Sequence, residues 1–468
     1  MNTESKRIIR ILISLCGLFI GLVIYISYFQ IFTADRILSN SYNKRQWIDE
    51  ENILRGEIID RKGTILVNSI ITDKGQSRNY KYGNVYSHII GYSSREYGKS
   101  GIEASYNKEL LNLSDLNPLG ELKNILSDGP SLGNNVVLTL DHELQSYAYK
   151  LLGNRKGSIV IMNPKTGEIY SMVSSPSFNP STLKENWGDI IANENSPLLN
   201  RSIMGLYAPG SIFKLITATA AIENRESDDK FNCEGSINID GYVLKDYGGV
   251  AHGELDLNEA LVKSCNVAFS QIGLEIGDDK LRNTAEKYMF NRSIPFDLRT
   301  AESTFPDNIR SKPELGASAI GQGKILVTPL NMAMVASAIG NQGEMVKPII
   351  VREIINHNNS VLKKYKTELL SKVTSPETAE YLKSMMIEVV NEGTGKSARL
   401  DKIQAAGKTG TAENESDKEH AWFIGFAPAD DPLVAVAVII ESSGKTGGAE
   451  AAPIARDLMN RAIQILNK

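Results

Sequence analysis

The sequence predicts an α+β domain whose sheet is built from distant parts of the chain, held behind one apolar anchor. Two observations place the sheet. Apolar, β-branched runs "GSIVIMN" and "EIYSMVSS" follow one another from Gly157, and a second such pair, "HAWFIGFAP" and "LVAVAVIIES", follows from His420. Helical patterns fill the chain between the pairs, so strands from both ends have to meet. The third observation is the stretch from Ile11 to Ala34, which holds no charged residue.

In chain order, residues 1–10 read as a short cytoplasmic tail carrying Lys6, Arg7 and Arg10. Residues 11–34 are long enough to cross a bilayer as a helix, which takes about 20 apolar residues. The preceding cations place the amino terminus inside, so everything after Asp35 is expected to be exported. The apolar stretch is longer than a cleaved signal and lacks a convincing small-residue cleavage site, so it reads as an uncleaved single-pass anchor. Residues 35–140 form a polar pedestal rich in Tyr, Asn, Ser and Gly. "RGEIIDRKGTILVN" holds strand-like pieces around the turn Arg61-Lys62-Gly63, and "SHIIGYSSREYGKSGIEASYNKEL" ends in a helical pattern. This irregular region is expected to lack an obvious core of its own.

Residues 141–468 hold the α+β domain. Pro164-Lys165-Thr166-Gly167 closes the first hairpin. Helices are expected in "SIFKLITATAAI", in "LNEALVKSCNVAFSQIGLEI", and from Thr328-Pro329, where threonine caps and proline fills the first turn. The last helix runs from about Ala451 to Leu466, with Ile454, Leu458, Ala462 and Leu466 on one face.

Composition removes several classes of function. The chain has 468 residues and a net charge of −4 with charges spread along it, which leaves no basic stripe for a nucleic acid. The run Lys363-Lys364-Tyr365-Lys366 reads as solvated surface. Three cysteines make no disulfide framework: Cys16 lies in the anchor, and Cys233 and Cys265 show no metal-ligand spacing. Five scattered histidines without HExxH point away from zinc or iron, so no metal or organic cofactor is expected. "GTGKSA" at Gly393 is no phosphate loop, because Val390 stands where the required glycine would be.

Chemistry concentrates in three short pieces. In "YAPGSIFK", Pro209 and Gly210 turn the chain into a helix, which puts Ser211 at a positive helix end and Lys214 on the same face. A serine hydroxyl needs a base to become a nucleophile, and a lysine held neutral by burial can be that base. In "KSCNVAF", Ser264 can relay a proton and Asn266 can hold an amide. The third piece, K-T-G, offers a cation, a hydroxyl and a glycine that lets a substrate backbone lie close. It occurs twice, in "GKTGTAE" from Gly407 and "GKTGGAE" from Gly444. Each piece alone is weak. In this order, the trio marks penicillin-recognising serine enzymes.

Over nearly its whole length the chain resembles a class B penicillin-binding protein, a membrane-anchored D,D-transpeptidase. "RGEIIDRKGTIL" and "GIEASYNKEL" look like that family's pedestal. "GSIVIMNPKTGEIYSMVSSPSFNP" looks like the opening of its transpeptidase domain, and "GQG" at Gly321 with "TPL" falls in family order. The resemblance implies a serine β-lactamase-like fold, with an antiparallel sheet flanked by helices. It also separates the two K-T-G copies. The catalytic copy lies on a strand with two strands after it, which fits Gly407; after Gly444 only a turn and a terminal helix remain.

The implied chemistry is acyl transfer. Ser211 attacks the carbonyl between two terminal D-alanines of a stem peptide, and Lys214 takes its proton. Ser264, held by Lys408, passes a proton toward the leaving amine. Asn266 binds the donor's amide, Thr409 its carboxylate, Gly410 gives room, and the N–H groups of Ser211 and Thr411 form the oxyanion hole. β-Lactams would acylate the same serine. The implied partner is a polytopic membrane glycosyltransferase touching anchor and pedestal. Alternatives sharing the trio are a β-lactamase, a D,D-carboxypeptidase and a non-enzymatic β-lactam sensor. A deacylating glutamate at Glu302 is disfavoured, because Pro306 occupies the place of its asparagine; about ten residues before the anchor are too few for a signalling domain.

Overall fold

Helix α1 (Thr3–Tyr28) opens the chain and passes into a π-helical turn, Phe29–Thr33. At 1.5 Å per residue it is about 39 Å long, more than a hydrocarbon core needs. Lys6, Arg7 and Arg10 are part of its first turns rather than of a separate tail. Its apolar side chains, such as Leu18 and Phe19, are exposed. The computed structural model describes residues 3–33, 53–72, 75–113, 131–224, 230–413 and 418–467. Ala34 and Asp35, which mark the expected end of the anchor, lie outside them.

The pedestal supplies strands β1 (Ile58–Ile59), β2 (Ile65–Thr72), β3 (Gly75–Tyr80) and β4 (Asn135–Leu138). β1 and β2 are antiparallel about the Arg61–Gly63 turn, as the sequence predicts, with Gly63 at φ +87°. After Asp141, whose side chain caps it, comes α2 (His142–Leu152), then the hairpin β5 (Gly157–Met162) and β6 (Ile169–Ser175). A 3-10 turn at Gly210–Phe213 leads into α3 (Lys214–Asn224). Four short strands come next: β7 (Phe231–Cys233), β8 (Ser236–Ile239), β9 (Tyr242–Lys245) and β10 (Gly253–Leu255). β7 pairs with β10, and β8 with β9. The expected single helix from Leu257 is two, α4 (Leu257–Lys263) and α5 (Asn266–Ile276), broken where Ser264 turns left-handed. α6 (Pro329–Gly340) starts at Thr328, whose hydroxyl caps Asn331 N–H.

Strands β11 (Val351–Ile355) and β12 (Val361–Lys364) then return to the pedestal. α7 (Pro376–Asn391) precedes β13 (Ala406–Ala412), β14 (His420–Ala427) and β15 (Val434–Ile440), and α8 (Gly447–Leu466) closes the fold. α8 begins earlier than Ala451 because Thr446 caps it.

Two sheets result. The central one is wholly antiparallel in the order β6-β5-β15-β14-β13, so the two hairpins join along β5 and β15. Both of its faces are buried. Ile159, Val436 and Val438 face α2 and α8, while Val160, Ala437 and Ile439 face α6, as the two-residue side-chain period requires. The second sheet runs β12-β11-β4-β1-β2-β3 and is therefore shared between the two halves of the chain. Its exposed edge carries Lys363 and Lys364, which guard it against further pairing.

The pedestal shares its core with the rest of the chain, as its irregular composition predicts. Ile58, Leu66, Ile89, Ile102 and Leu110 belong to the same apolar cluster as α3, α5 and α6. Buried Glu103, in the short helix Gly101–Ser105, accepts from Arg55 Nε at 2.6 Å and from Arg78 Nε at 2.7 Å, which ties that helix to β3 and to the chain entering β1.

Candidate active site

All three motifs open on one cleft of about 600 Å³, lined by Ser211, Ser264, Asn266, Thr409 and Thr411 among others. Ser211 stands in the 3-10 turn before α3. Gly210 enters that turn at φ +55°, and a Cβ there would lie 2.6 Å from the Thr411 carbonyl oxygen. Glycine thus lets the serine turn pack on the β13 backbone, bringing the main chain of Ser211 beside that of Thr411. Gly210 N–H donates to Gly321 O at 2.9 Å, and Trp422 Nε1 on β14 donates to Ala208 O at 3.1 Å. These bonds fix the turn from both sides.

Lys214 is fully buried at the start of α3. Its Nζ donates to Ser264 O at 2.6 Å and to Asn266 Oδ1 at 2.8 Å, and lies 3.4 Å from Ser264 Oγ. These bonds run to the second motif rather than to Ser211. Lys408, also fully buried, donates to Ser264 Oγ at 2.8 Å and to Thr409 O at 3.1 Å. One hydroxyl therefore sits between two lysines. Burial pulls Lys214 down to about 8, with Asp246 and Cys265 opposing. Burial, and then the charge of Lys214, hold Lys408 well below the ordinary lysine range. Two ammonium groups sharing one hydroxyl cannot both stay charged cheaply, so the pair titrates as a unit and keeps a neutral amine available.

The chain bends sharply to present Ser264, which caps the end of α4 at φ +57° and ψ 39°. Asp246 steadies the start of α5, accepting from Asn266 N at 3.1 Å, and it also accepts from Tyr247 N at 2.9 Å. Asn266 Nδ2 donates to Lys245 O at 3.2 Å, which leaves the whole carboxamide oriented by protein groups.

The third motif departs from expectation in one respect. A side chain at Gly410 would meet Pro209 O at 2.9 Å and Ile212 at 3.1 Å, so the space it leaves is filled by the serine turn and not kept for a ligand. The second K-T-G copy is the capped entrance to α8, as its position after the last strand predicts, yet it is no bystander. Gly447 N–H donates to Thr411 Oγ1 at 3.3 Å, and Thr446, Gly448 and Ala449 line the cleft.

Sequence reading missed other lining residues. Thr394, inside "GTGKSA", meets Thr409 Oγ1 with its own hydroxyl at 2.6 Å. Asp246, Tyr247, Val250, His252 and Gln322 also line the cleft. Gln322 belongs to the "GQG" stretch, whereas the others belong to no local pattern and only proximity in the fold reveals them. Glu302 lines a separate depression beside Met204 and Asp297. Cys233, Asp246, His252 and Cys265 bring metal-ligand atom types together behind Asn266, where sequence spacing suggests none.

Comparison with known proteins finds relatives over most of the chain. The family described as penicillin binding protein transpeptidase domain matches residues 157–460, and that described as penicillin binding protein A dimerisation domain matches residues 55–136. The peptidoglycan D,D-transpeptidase PbpA of Mycolicibacterium smegmatis is 33% identical, across 99% of this chain and 99% of its own. Stage V sporulation protein D of Bacillus subtilis is 30% identical, across 89% of this chain and 67% of its own. Penicillin-binding protein A from M. tuberculosis, solved as a ceftriaxone acyl-enzyme complex, superposes with a TM-score of 0.86 at 32% identity, covering 89% of this chain and all (100%) of that one.

Proposed function

The chain belongs to the penicillin-binding protein transpeptidase family, and from that premise we infer how its own residues divide the reaction. It is a serine D,D-transpeptidase of peptidoglycan synthesis that forms a serine acyl-enzyme on D-Ala-D-Ala stem peptides and binds β-lactams covalently. One observation carries the assignment of roles: Ser264 Oγ lies within 2.8 Å of Lys408 Nζ and 3.4 Å of Lys214 Nζ, in the cleft that Ser211 also lines.

Ser211 Oγ attacks the carbonyl of the penultimate D-alanine while neutral Lys214 accepts the hydroxyl proton. We assign the oxyanion that forms to the N–H groups of Ser211 and Thr411; one such donor is worth about 3 kcal/mol of barrier. Collapse breaks the C–N bond, and Ser264, recharged from the lysine pair, gives its proton to the departing D-alanine amine. An amine of a second stem peptide then attacks the Ser211 ester. Its proton leaves along the same relay, the new amide forms, and Ser211 is restored. Asn266 holds the donor's amide, and Thr409 and Thr411 its carboxylate.

Mass spectrometry of the full-length protein mixed with penicillin G tests this. A single adduct on Ser211, persisting for minutes or longer and absent in Ser211→Ala, is expected. Attachment elsewhere would overturn the nucleophile assignment, and release within seconds would make the protein a lactamase.

We further infer that α1 is a single-pass anchor with its amino terminus cytoplasmic, because Lys6, Arg7 and Arg10 cluster at that end. A polytopic glycosyltransferase is the partner this arrangement suits. Ile70 and Ile71, exposed near the tip of the β2–β3 hairpin, give it an apolar handhold on the pedestal. Co-purification with such an enzyme should fail for a chain lacking the residues before Asp35, and retention at full yield would remove the anchor from that contact.

A further inference from the structure

Glu441, the residue after β15, lies against the segment that leads into the nucleophile. Its Oε1 accepts from Arg201 Nε at 2.7 Å and from the Tyr207 hydroxyl at 2.6 Å, and its Oε2 pairs with Lys156 Nζ at 3.2 Å. The Arg201 and Glu441 side chains are 1% and 9% exposed. Burial, and then the charge of Glu441, push the Tyr207 phenol upward, so it stays protonated and donates. A Cβ on Gly205 would stand 2.4 Å from the Tyr207 hydroxyl oxygen, so glycine at that position gives the phenol its seat.

An ion pair that only held the fold together would be complete without the tyrosine. Besides the carboxylate, Arg201 donates to Asn195 O at 2.6 Å and to Ser196 O at 3.1 Å. The phenol adds a further link, and that link runs toward Ser211. At Tyr207 the chain has left the short helix Arg201–Met204 and has not yet entered the serine turn. Its main chain pairs with Val327 as an isolated bridge, so side chains carry much of the work of fixing it. Trp422 holds Ala208 O, and Glu441 holds the Tyr207 hydroxyl. In the other direction, Glu441 opens the turn that ends at Thr446, the cap of α8, and the next residue, Gly447, donates to Thr411 Oγ1 at 3.3 Å. The two N–H groups assigned to the oxyanion therefore ride on different elements. Glu441 is tied to both, through space to the serine turn and along the chain to the neighbour of Thr411.

We propose that Glu441, acting through the Tyr207 hydroxyl, is a positioning residue that sets the spacing between the Ser211 turn and β13, and with it the width of the oxyanion hole. The inference rests on the assignment of the oxyanion to Ser211 and Thr411 made above. Neither Glu441 nor Tyr207 touches a reacting atom. Oxyanion donors act on the tetrahedral state more than on the bound substrate, so a misplaced pair slows chemistry and leaves binding nearly as it was. A displacement of about 1 Å is enough to cost on the order of a hundredfold in rate.

Stopped-flow acylation of the full-length protein in detergent by a chromogenic cephalosporin separates the binding constant Ks from the acylation rate constant k2. Tyr207→Phe deletes one oxygen, keeps the ring and leaves the Arg201–Glu441 pair in place. It should lower k2 about tenfold or more, with Ks within about twofold of wild type and Tm nearly unchanged. Affinity for a boronic acid that forms a tetrahedral adduct on serine should fall in step with k2. Gly205→Ala, which displaces the same hydroxyl, should lower k2 similarly and cost little more when added to Tyr207→Phe. Glu441→Gln weakens the same bond, so it should lower k2 in the wild type but hardly further in Tyr207→Phe, whatever it does to Tm. A Tyr207→Phe chain that acylates at the wild-type rate would overturn the inference, as would a loss confined to Ks. Full multiplication of the Tyr207→Phe and Glu441→Gln losses would overturn it too, since the carboxylate would then act by another route. In each of these cases the adduct would still form on Ser211, and the nucleophile assignment would stand.

Discussion

Ser264 holds a left-handed backbone that costs a non-glycine residue about 1 kcal/mol or more, and it does so between two buried lysines. The strain aims its hydroxyl at both amines. Ser264→Ala keeps the bend and removes only the relay, so acylation by penicillin should slow by about 10²–10⁴-fold with little change in Tm. Lys214 gives a pH signature. The neutral amine is the active form, so the acylation rate should climb with pH through about 8 and level above it. Stability follows the same direction. An unfolded lysine holds its proton up to about 10.5 while the native one releases it near 8, so between those values the unfolded chain binds more protons and folding gains as pH rises. A flat acylation profile from pH 6 to 9 would remove Lys214 as the base. At this scale the sequence was a good guide to which groups the fold brings together, because S-x-x-K, S-x-N and K-T-G are contiguous. It was silent on Thr394 and Asp246, whose neighbours in space lie far away in the chain.

Among elements, the paired hairpins and the Thr328-capped helix were legible, because alternation, turn residues and caps are local signals. The break between α4 and α5 was not. The apolar pattern of "LNEALVKSCNVAFSQIGLEI" continues across Ser264, and only the long-range bonds to Lys214 and Lys408 show why the chain must bend there. The two K-T-G copies give the clearest lesson. Their order along the chain separates strand from helix entrance, yet nothing in either copy announces that they touch. Thr446 caps α8 through Ala449 N–H, and Thr446→Ala should cost about 1 kcal/mol in denaturant titration. Gly447 packs against the backbone of Gly410 and Trp422, with 2.4 Å from a Cβ to Gly410 O. Gly447→Ala therefore has to push β13, and penicillin acylation should fall well beyond what the stability loss explains. An acylation rate equal to wild type in folded Gly447→Ala would show that α8 does not buttress the catalytic strand.

At the scale of the whole molecule, one apolar core joins the pedestal to the rest of the chain, in keeping with a pedestal expected to lack an obvious core of its own. The pedestal's apolar side chains run into the main core, and Tyr106 donates to Asp297, which in turn accepts from Ile350 N at 2.8 Å at the edge of β11. Glu103 shows how tightly the pedestal is bound. Burial disfavours its charge, but Arg55 and Arg78 outweigh that and hold the carboxyl below its ordinary range. Because the folded value is depressed, this contribution is present above the ordinary glutamate range and disappears as acid carries the pH through the folded value. Glu103→Ala strands two buried guanidinium groups and should cost about 3–5 kcal/mol, read as a lower Tm in one transition for the whole chain after α1. A separate low-temperature transition confined to the pedestal would contradict the shared core.

The second sheet also imposes a schedule on biogenesis. Its strands β1 to β4 leave the ribosome long before β11 and β12, which lie more than two hundred residues later and complete the same hydrogen-bonded layer. The amino-terminal third consequently emerges with an open β-edge on β4 that nothing can close until β11 has been made. For that interval the nascent chain carries an unpaired edge prone to aggregation, which makes this protein a natural client for holding chaperones.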